Sequence, residues 1–242
     1  MTYCVAMNLR EGMVFVSDSR TNAGVDHIAT FRKLHVFCVP GERVIVLQSA
    51  GNLATTQSVV SLLRARGNEP EMSSLLNVRS MYQAAELLGS TIREVIARDT
   101  GPQAQSTVDL GCSFLLGGQI RGEDQRLFNI YPQGNFIEST PDTLFFQIGE
   151  SKYGKPIIDR VLTWDTPLRP ALQCALISFD STIKSNLSVG MPLDRLVYIR
   201  DSFSDQLQRR IDEKDEYFQT IRKGWSEGLR RIFNELPPPP DL

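Results

Sequence analysis

Met1-Thr2-Tyr3-Cys4-Val5-Ala6-Met7-Asn8-Leu9, a turn at Arg10-Glu11-Gly12, then Met13-Val14-Phe15-Val16-Ser17-Asp18-Ser19-Arg20 open the chain, and their reading decides the fold. Residues 2–9 and 13–17 read as strands, and the Gly-containing turn joins them as a hairpin. Folding back brings Asp18 beside Thr2. Removal of Met1 is expected before a residue as small as threonine. Thr2 would then carry a hydroxyl and a free α-amine together, so nucleophile and base are covalently preassembled. A retained Met1 would acylate that amine and remove the base. Lys33 follows at a distance that suits the return of a second hairpin. Thr2, Asp18 and Lys33 make a candidate catalytic constellation, although each is commonplace taken alone.

The rest of the composition sets bounds. A chain of 242 residues, 41% hydrophobic and 22% charged, can bury a substantial core. Its net charge of −2 makes no electrostatic case for nucleic acid or an anionic membrane. No apolar run approaches the ~20 residues of a membrane span. No basic segment followed by an apolar stretch marks a signal peptide, so a cytoplasmic location is expected. Cys4, Cys38, Cys112 and Cys174 lie far apart in apolar stretches and read as reduced core residues. With only His27 and His35 beside them, metal-ligand spacing is missing. No metal or cofactor is expected.

Strands are expected again at 34–39 and 43–49, turned by Pro40-Gly41, and helices at 52–67 and 79–98. The polar segment 99–108 reads as a loop. Strands follow at 110–117, 126–131, 135–138 and 143–148, helices at 152–163 and 168–186, and a short strand at 197–199. Helices paired between strand blocks indicate an α+β fold with two stacked sheets and helices outside. From Leu207, apolar residues at Ile211, Phe218, Ile221, Trp225, Leu229, Ile232 and Leu236 keep helical spacing. Ser202-Phe203-Ser204-Asp205 would cap that helix, roughly 50 Å long if continuous. It suits an arm packed on a neighbouring subunit; alternatively it bends, for instance at Gly224, and lies on its own domain. Domain organisation is therefore 1–200 and a C-terminal arm, 201–242, ending in an extended proline run.

Taken together, Thr2, the stretch Ser17-Asp18-Ser19-Arg20-Thr21-Asn22-Ala23-Gly24, Lys33 and Ser49-Ala50-Gly51 resemble proteasome β-type subunits, which are N-terminal-nucleophile hydrolases. Phe31-Arg32-Lys33 and Ser181-Thr182-Ile183-Lys184-Ser185-Asn186-Leu187-Ser188-Val189-Gly190 are similar to the bacterial ancestral-β-subunit (Anbu) branch. The resemblance covers about residues 2–200, and the long arm suits that branch better than the common β subunit.

The resemblance implies a four-layer αββα sandwich with a long C-terminal helical extension, and a threonine hydrolase site. Asp18 keeps the family's spacing from Thr2, and Lys33 lies one residue nearer than usual. Thr2 would attack a peptide carbonyl while its α-amine takes the proton. Lys33 would lower the pKa of the hydroxyl, Asp18 would hold Lys33, and the Gly51 N–H would bind the oxyanion. Two departures stand out. The family's Gly-Ser-Gly corresponds to Gly149-Glu150-Ser151, which makes Ser151 the counterpart of its serine. The family's Asp–Ser pair near the α-amine corresponds to Ser185 and Ser188, so the carboxylate is missing unless Asp180 substitutes.

The expected function is a threonine peptidase subunit of a self-compartmentalised homo-oligomer, acting on peptides or unfolded protein. The alternatives are an amidase of the same fold for a small or tagged substrate, and a catalytically weak assembly protein. A closed ring and an open spiral are both compatible with the sequence. No G-x-x-x-x-G-K-[ST] loop occurs, so energy coupling would require an ATP-dependent partner. His27, Phe31 and His35 are candidates for a pocket wall beside Lys33, or equally for core or surface positions.

Overall fold

The opening strands β1 (Tyr3–Leu9) and β2 (Gly12–Asp18) are buried along their whole length, so neither shows an apolar–polar alternation. In β1, Tyr3, Val5, Met7 and Leu9 pack toward helices, while Cys4 and Ala6 face a second sheet. That is the two-residue period of a strand buried on both faces. The computed structural model describes residues 2–22, 28–100 and 109–240.

After a short β3 (Arg20–Asn22) and β4 (Ile28–Thr30), which pair with each other, come β5 (Leu34–Val39) and β6 (Arg43–Gly51). Helices α1 (Leu53–Gly67) and α2 (Met81–Thr100) follow, then β7 (Cys112–Ile120), β8 (Arg126–Ile130), β9 (Phe136–Glu138) and β10 (Phe145–Gly149). The chain continues through α3 (Lys155–Val161), α4 (Leu168–Ser185), β11 (Leu193–Ile199), β12 (Gln208–Ile211) and α5 (Glu216–Glu235). One five-stranded sheet has the order β10-β1-β2-β11-β12, the other β5-β6-β7-β8-β9. Both are antiparallel.

Three apolar interfaces separate four layers. Val59, Leu63, Leu88 and Ile92 of α1 and α2 pack on Ile45 and Leu47 of β6. Met13 and Phe15 meet Val44, Val46 and Leu115 between the sheets. Ile158 of α3 and Ala175 and Phe179 of α4 cover β1 and β2 from the other side. This is the expected αββα sandwich. Cys4, Cys112 and Cys174 are buried and Cys38 half-buried, all four as free thiols. Burial pushes the Cys112 thiol up to about 12 and that of Cys174 to about 11, so neither ionises readily.

The C-terminal region departs from its reading. Residues 208–211 are not helix; they form β12, with Leu193 opposite Ile211 and Arg195 opposite Arg209. The helix starts at Glu216, capped by Asp215, whose side chain accepts the Phe218 N–H at 2.9 Å, and not at Ser202–Asp205. Its 20 residues span about 30 Å, and it runs through Gly224 without a break. Ile211, Phe218 and Ile221 join the core beside α4. The boundary expected at 200/201 therefore cuts through packed structure, and only the distal half of α5 stands clear. There Leu229, Ile232, Phe233 and Leu236 are between 51% and 76% exposed. The loop expected at 99–108 is helix at its first two residues, and 101–108 lie outside the described residues. Among the described residues, no helix is long and apolar enough to cross a membrane.

Candidate active site

Thr2 immediately precedes β1, and the hairpin register places Cys4 opposite Ser17. Asp18 at the end of β2 consequently reaches the start of β1, where its Oδ1 accepts the Tyr3 N–H at 3.0 Å. Lys33 enters from just before β5. Its Nζ donates to the same Oδ1 at 2.6 Å and to the Arg20 carbonyl at 2.7 Å. Both side chains are almost fully buried, at 6% and 0% exposure. Burial pushes the Asp18 carboxyl upward, while the Lys33 charge and the backbone amides of Tyr3 and Gly190 pull against it. Ionised partners make this a charge-assisted hydrogen bond.

A cavity of about 500 Å³ opens over this pair, lined by Thr2, Lys33, Ser49, Ala50, Gly51 and Gly149 among others. Gly51 ends β6 with φ +106, and an added Cβ would lie 2.5 Å from the Gly111 carbonyl oxygen. Only glycine meets both demands. Asn52 then caps α1, its side chain accepting the Thr55 N–H. Arg32 and His35 also line the cavity. Burial, with Arg64 and Arg32 nearby, pushes His35 down to about 4, so it is neutral at neutral pH.

The opposite wall is where the sequence reading fell short. Gly149, at φ +82, lies against Thr2, and an added Cβ would overlap the Thr2 carbonyl. That carbonyl accepts the Glu150 N–H at 2.6 Å. The Glu150 carboxylate in turn accepts from Asn186 Nδ2 at 3.1 Å, and Asn186 Oδ1 accepts the Ser188 N–H at 2.9 Å. In the Gly149-Glu150-Ser151 triplet the groups that touch Thr2 are thus the glycine backbone and the Glu150 amide. The positive φ of Gly149 is the one part of this that a sequence could signal.

Thr2, Lys33 and Gly51 come together in one cavity with Asp18 beneath. The three serines do not join them. Ser151 lines a separate depression beside Lys155 and Asp159. Ser185 is exposed at the last turn of α4, and Ser188 is half-buried beyond it. No hydrogen bond links any of the three to Thr2 among the described residues. Asp180 does not substitute for the missing carboxylate either, because it accepts from Arg222 Nε of α5 at 2.7 Å. Phe31 is exposed at 36% and is not part of the cavity wall, while His27 lies outside the described residues.

No family model matches this chain, and no curated protein matches it to significance. Solved structures do. The ancestral β-subunit (Anbu) from Yersinia bercovieri is 65% identical, with a TM-score of 0.94 over 99% of this chain and 100% of that one. The structure described as a helical assembly of the Anbu complex from Pseudomonas aeruginosa is 62% identical, with a TM-score of 0.95 over 99% and 98%. Anbu from Hyphomicrobium sp. strain MC1 is 50% identical, with a TM-score of 0.90 over 98% of each chain. Fold and likeness together define a proteasome-β-like protein with the αββα architecture of N-terminal-nucleophile folds. The chain belongs to the Anbu, or ancestral β-subunit, family.

Proposed function

We propose that this chain is a threonine-type peptide-bond hydrolase, active as one subunit of a cytoplasmic homo-oligomer. The observation that carries the proposal is the Lys33–Asp18 pair, buried at 2.6 Å and tied through the Tyr3 amide to the residue after Thr2. Once Met1 is gone, Thr2 Oγ1 attacks the substrate carbonyl and its α-amine, directly or through water, receives the proton. The positive Lys33 stabilises the alkoxide and discourages protonation of the amine. Asp18 fixes Lys33. The Gly51 N–H donates to the developing oxyanion, a contribution typically worth ~3 kcal/mol. The amine then delivers its proton to the leaving group, and water hydrolyses the ester.

The narrower reading, an amidase for small or tagged substrates, is favoured by one observation. The Asp180 carboxylate that could have oriented the amine is held by Arg222. A weakly held base would restrict the range of substrates. One experiment tests the hydrolase: the intact mass of untagged protein before and after incubation with an epoxyketone probe. The protein is expected to lack Met1 and to gain one probe mass, with no gain in Thr2→Ala. Processed protein that takes up no probe would overturn the proposal.

Assembly is supported by the distal face of α5 and by the helical assembly of the Pseudomonas aeruginosa relative. Four apolar side chains at helical spacing, Phe233 76% exposed among them, fit burial against a second copy. Four unpaired cysteines fit a reducing compartment. Phe233→Glu with Leu229→Glu is expected to weaken self-association by about a hundredfold or more, since each buried side chain of this size contributes roughly 1.5–3 kcal/mol. Light scattering after size exclusion would read it. An unchanged particle mass would exclude this face from the interface. Deleting everything after Ser202 would be uninterpretable, because β12, Phe218 and Ile221 belong to the core.

A further inference from the structure

We infer that the cavity beside Thr2 selects substrates with an acidic side chain on the residue whose carbonyl is attacked, and that Arg32 is the residue that determines this. The inference rests on the hydrolase reading above. Among the described residues, the cavity wall contains two cationic residues, Arg32 and Lys33, and no carboxylate. Lys33 is already paired with Asp18 at 2.6 Å and buried. Arg32 is exposed and forms no ion pair among the described residues. The buried Asp194 feels the Arg32 charge but is paired to Arg210 at 3.3 Å.

The remaining groups agree in sign and kind. His35 stays neutral at working pH, pushed down by burial and by the charges of Arg64 and Arg32, so it offers a hydrogen bond and adds no negative charge. Gln57 is exposed on the wall, and its amide has no hydrogen-bond partner among the described residues. The larger part of the lining is apolar, with Leu53 and Ala50 contributing to it. A carboxylate entering here finds a guanidinium able to bind it through two parallel N–H bonds, plus a neutral amide donor. A lysine or arginine would meet Arg32 with no acid among the described lining residues to receive it. A leucine would find apolar lining but would leave Arg32 and Gln57 bonded to water alone, without the charge-assisted contact a carboxylate gains.

The test uses untagged, full-length protein that has lost Met1, and three matched peptide epoxyketones carrying Glu, Leu or Lys next to the reactive group. The readout is the rate of Thr2 adduct formation by intact mass. The Glu probe is expected to react about ten- to a hundredfold faster than the Leu probe, with Lys slowest. Arg32→Gln is expected to collapse the Glu-to-Leu ratio, and Arg32→Glu to place Lys ahead of Glu. A merely structural role of Arg32 would slow all three probes together and leave the ratios intact. Labelling of Thr2 with Leu equal to or faster than Glu would overturn this inference and leave the hydrolase reading standing. Labelling by none of the three would overturn the hydrolase reading and this inference with it.

Discussion

Lys33→Ala is expected to destabilise the fold by about 3–5 kcal/mol and to slow probe labelling of Thr2 by roughly 10²-fold or more. The stability loss follows from what remains behind. Asp18 is fully buried, and its Oδ1 takes the Lys33 ammonium and the Tyr3 amide. Without the ammonium the carboxylate must stay charged in a low-dielectric site or take up a proton. Either route raises the free energy of the folded state near neutral pH. Its folded pKa then rises further above that of the unfolded chain. The deficit should be full at neutral pH and shrink as the medium is acidified and the carboxyl protonates.

A double variant separates charge from chemistry. Asp18→Asn with Lys33→Met keeps an acceptor for the Tyr3 amide and removes both charges. It should recover much of the lost stability, since buried ion pairs are commonly replaceable by neutral groups of like volume. It should recover none of the labelling. Urea denaturation from pH 4.5 to 7.5 gives the stabilities, and intact mass gives the labelling. A Lys33→Ala protein as stable and as reactive as the parent would remove the pair from both roles.

Much of this site was legible because its decisive contacts are short in sequence. Thr2 and Asp18 are joined by one hairpin whose turn, Glu11-Gly12, leaves a visible mark, and Lys33 arrives on the next turn of chain. The outer layers were legible for a different reason: α1 and α2 bury one face each, and that face repeats at helical spacing. The errors have physical causes of their own. Residues 208–211, Gln-Arg-Arg-Ile, have no strand pattern, and their conformation is imposed by the neighbouring β11. Ile211, Phe218 and Ile221 fall at spacings a helix allows, so a periodicity shared between β12 and α5 read as one helix. β11 begins at Leu193, four residues earlier than its apolar run, because Asp194 and Arg195 are paired by Arg210 and by the Leu207 carbonyl. At Gly149-Glu150-Ser151, attention to the hydroxyl missed a backbone amide, a group every residue there carries and that composition cannot reveal.

That missed contact supports the second large effect. Gly149→Ala is expected to cost about 3 kcal/mol or more and to reduce Thr2 labelling by roughly 10²-fold. Two causes add. An L-residue at φ +82 pays about 1–2 kcal/mol for the left-handed conformation. The new Cβ would also overlap the Thr2 carbonyl, a backbone group that cannot swing aside as a flexible side chain could. Relief requires moving Thr2, which stretches the Glu150 N–H to Thr2 carbonyl bond and shifts the nucleophile from the Lys33–Asp18 pair. Gly122 supplies the control. It also has positive φ, +93, but an added Cβ there meets nothing within 4 Å. Gly122→Ala should carry the conformational cost alone, about 1 kcal/mol, with labelling untouched. The difference between the two variants isolates the contact with Thr2. Equal losses in both would mean that Gly149 answers only to its backbone angle, and that nothing on that wall holds the nucleophile in position.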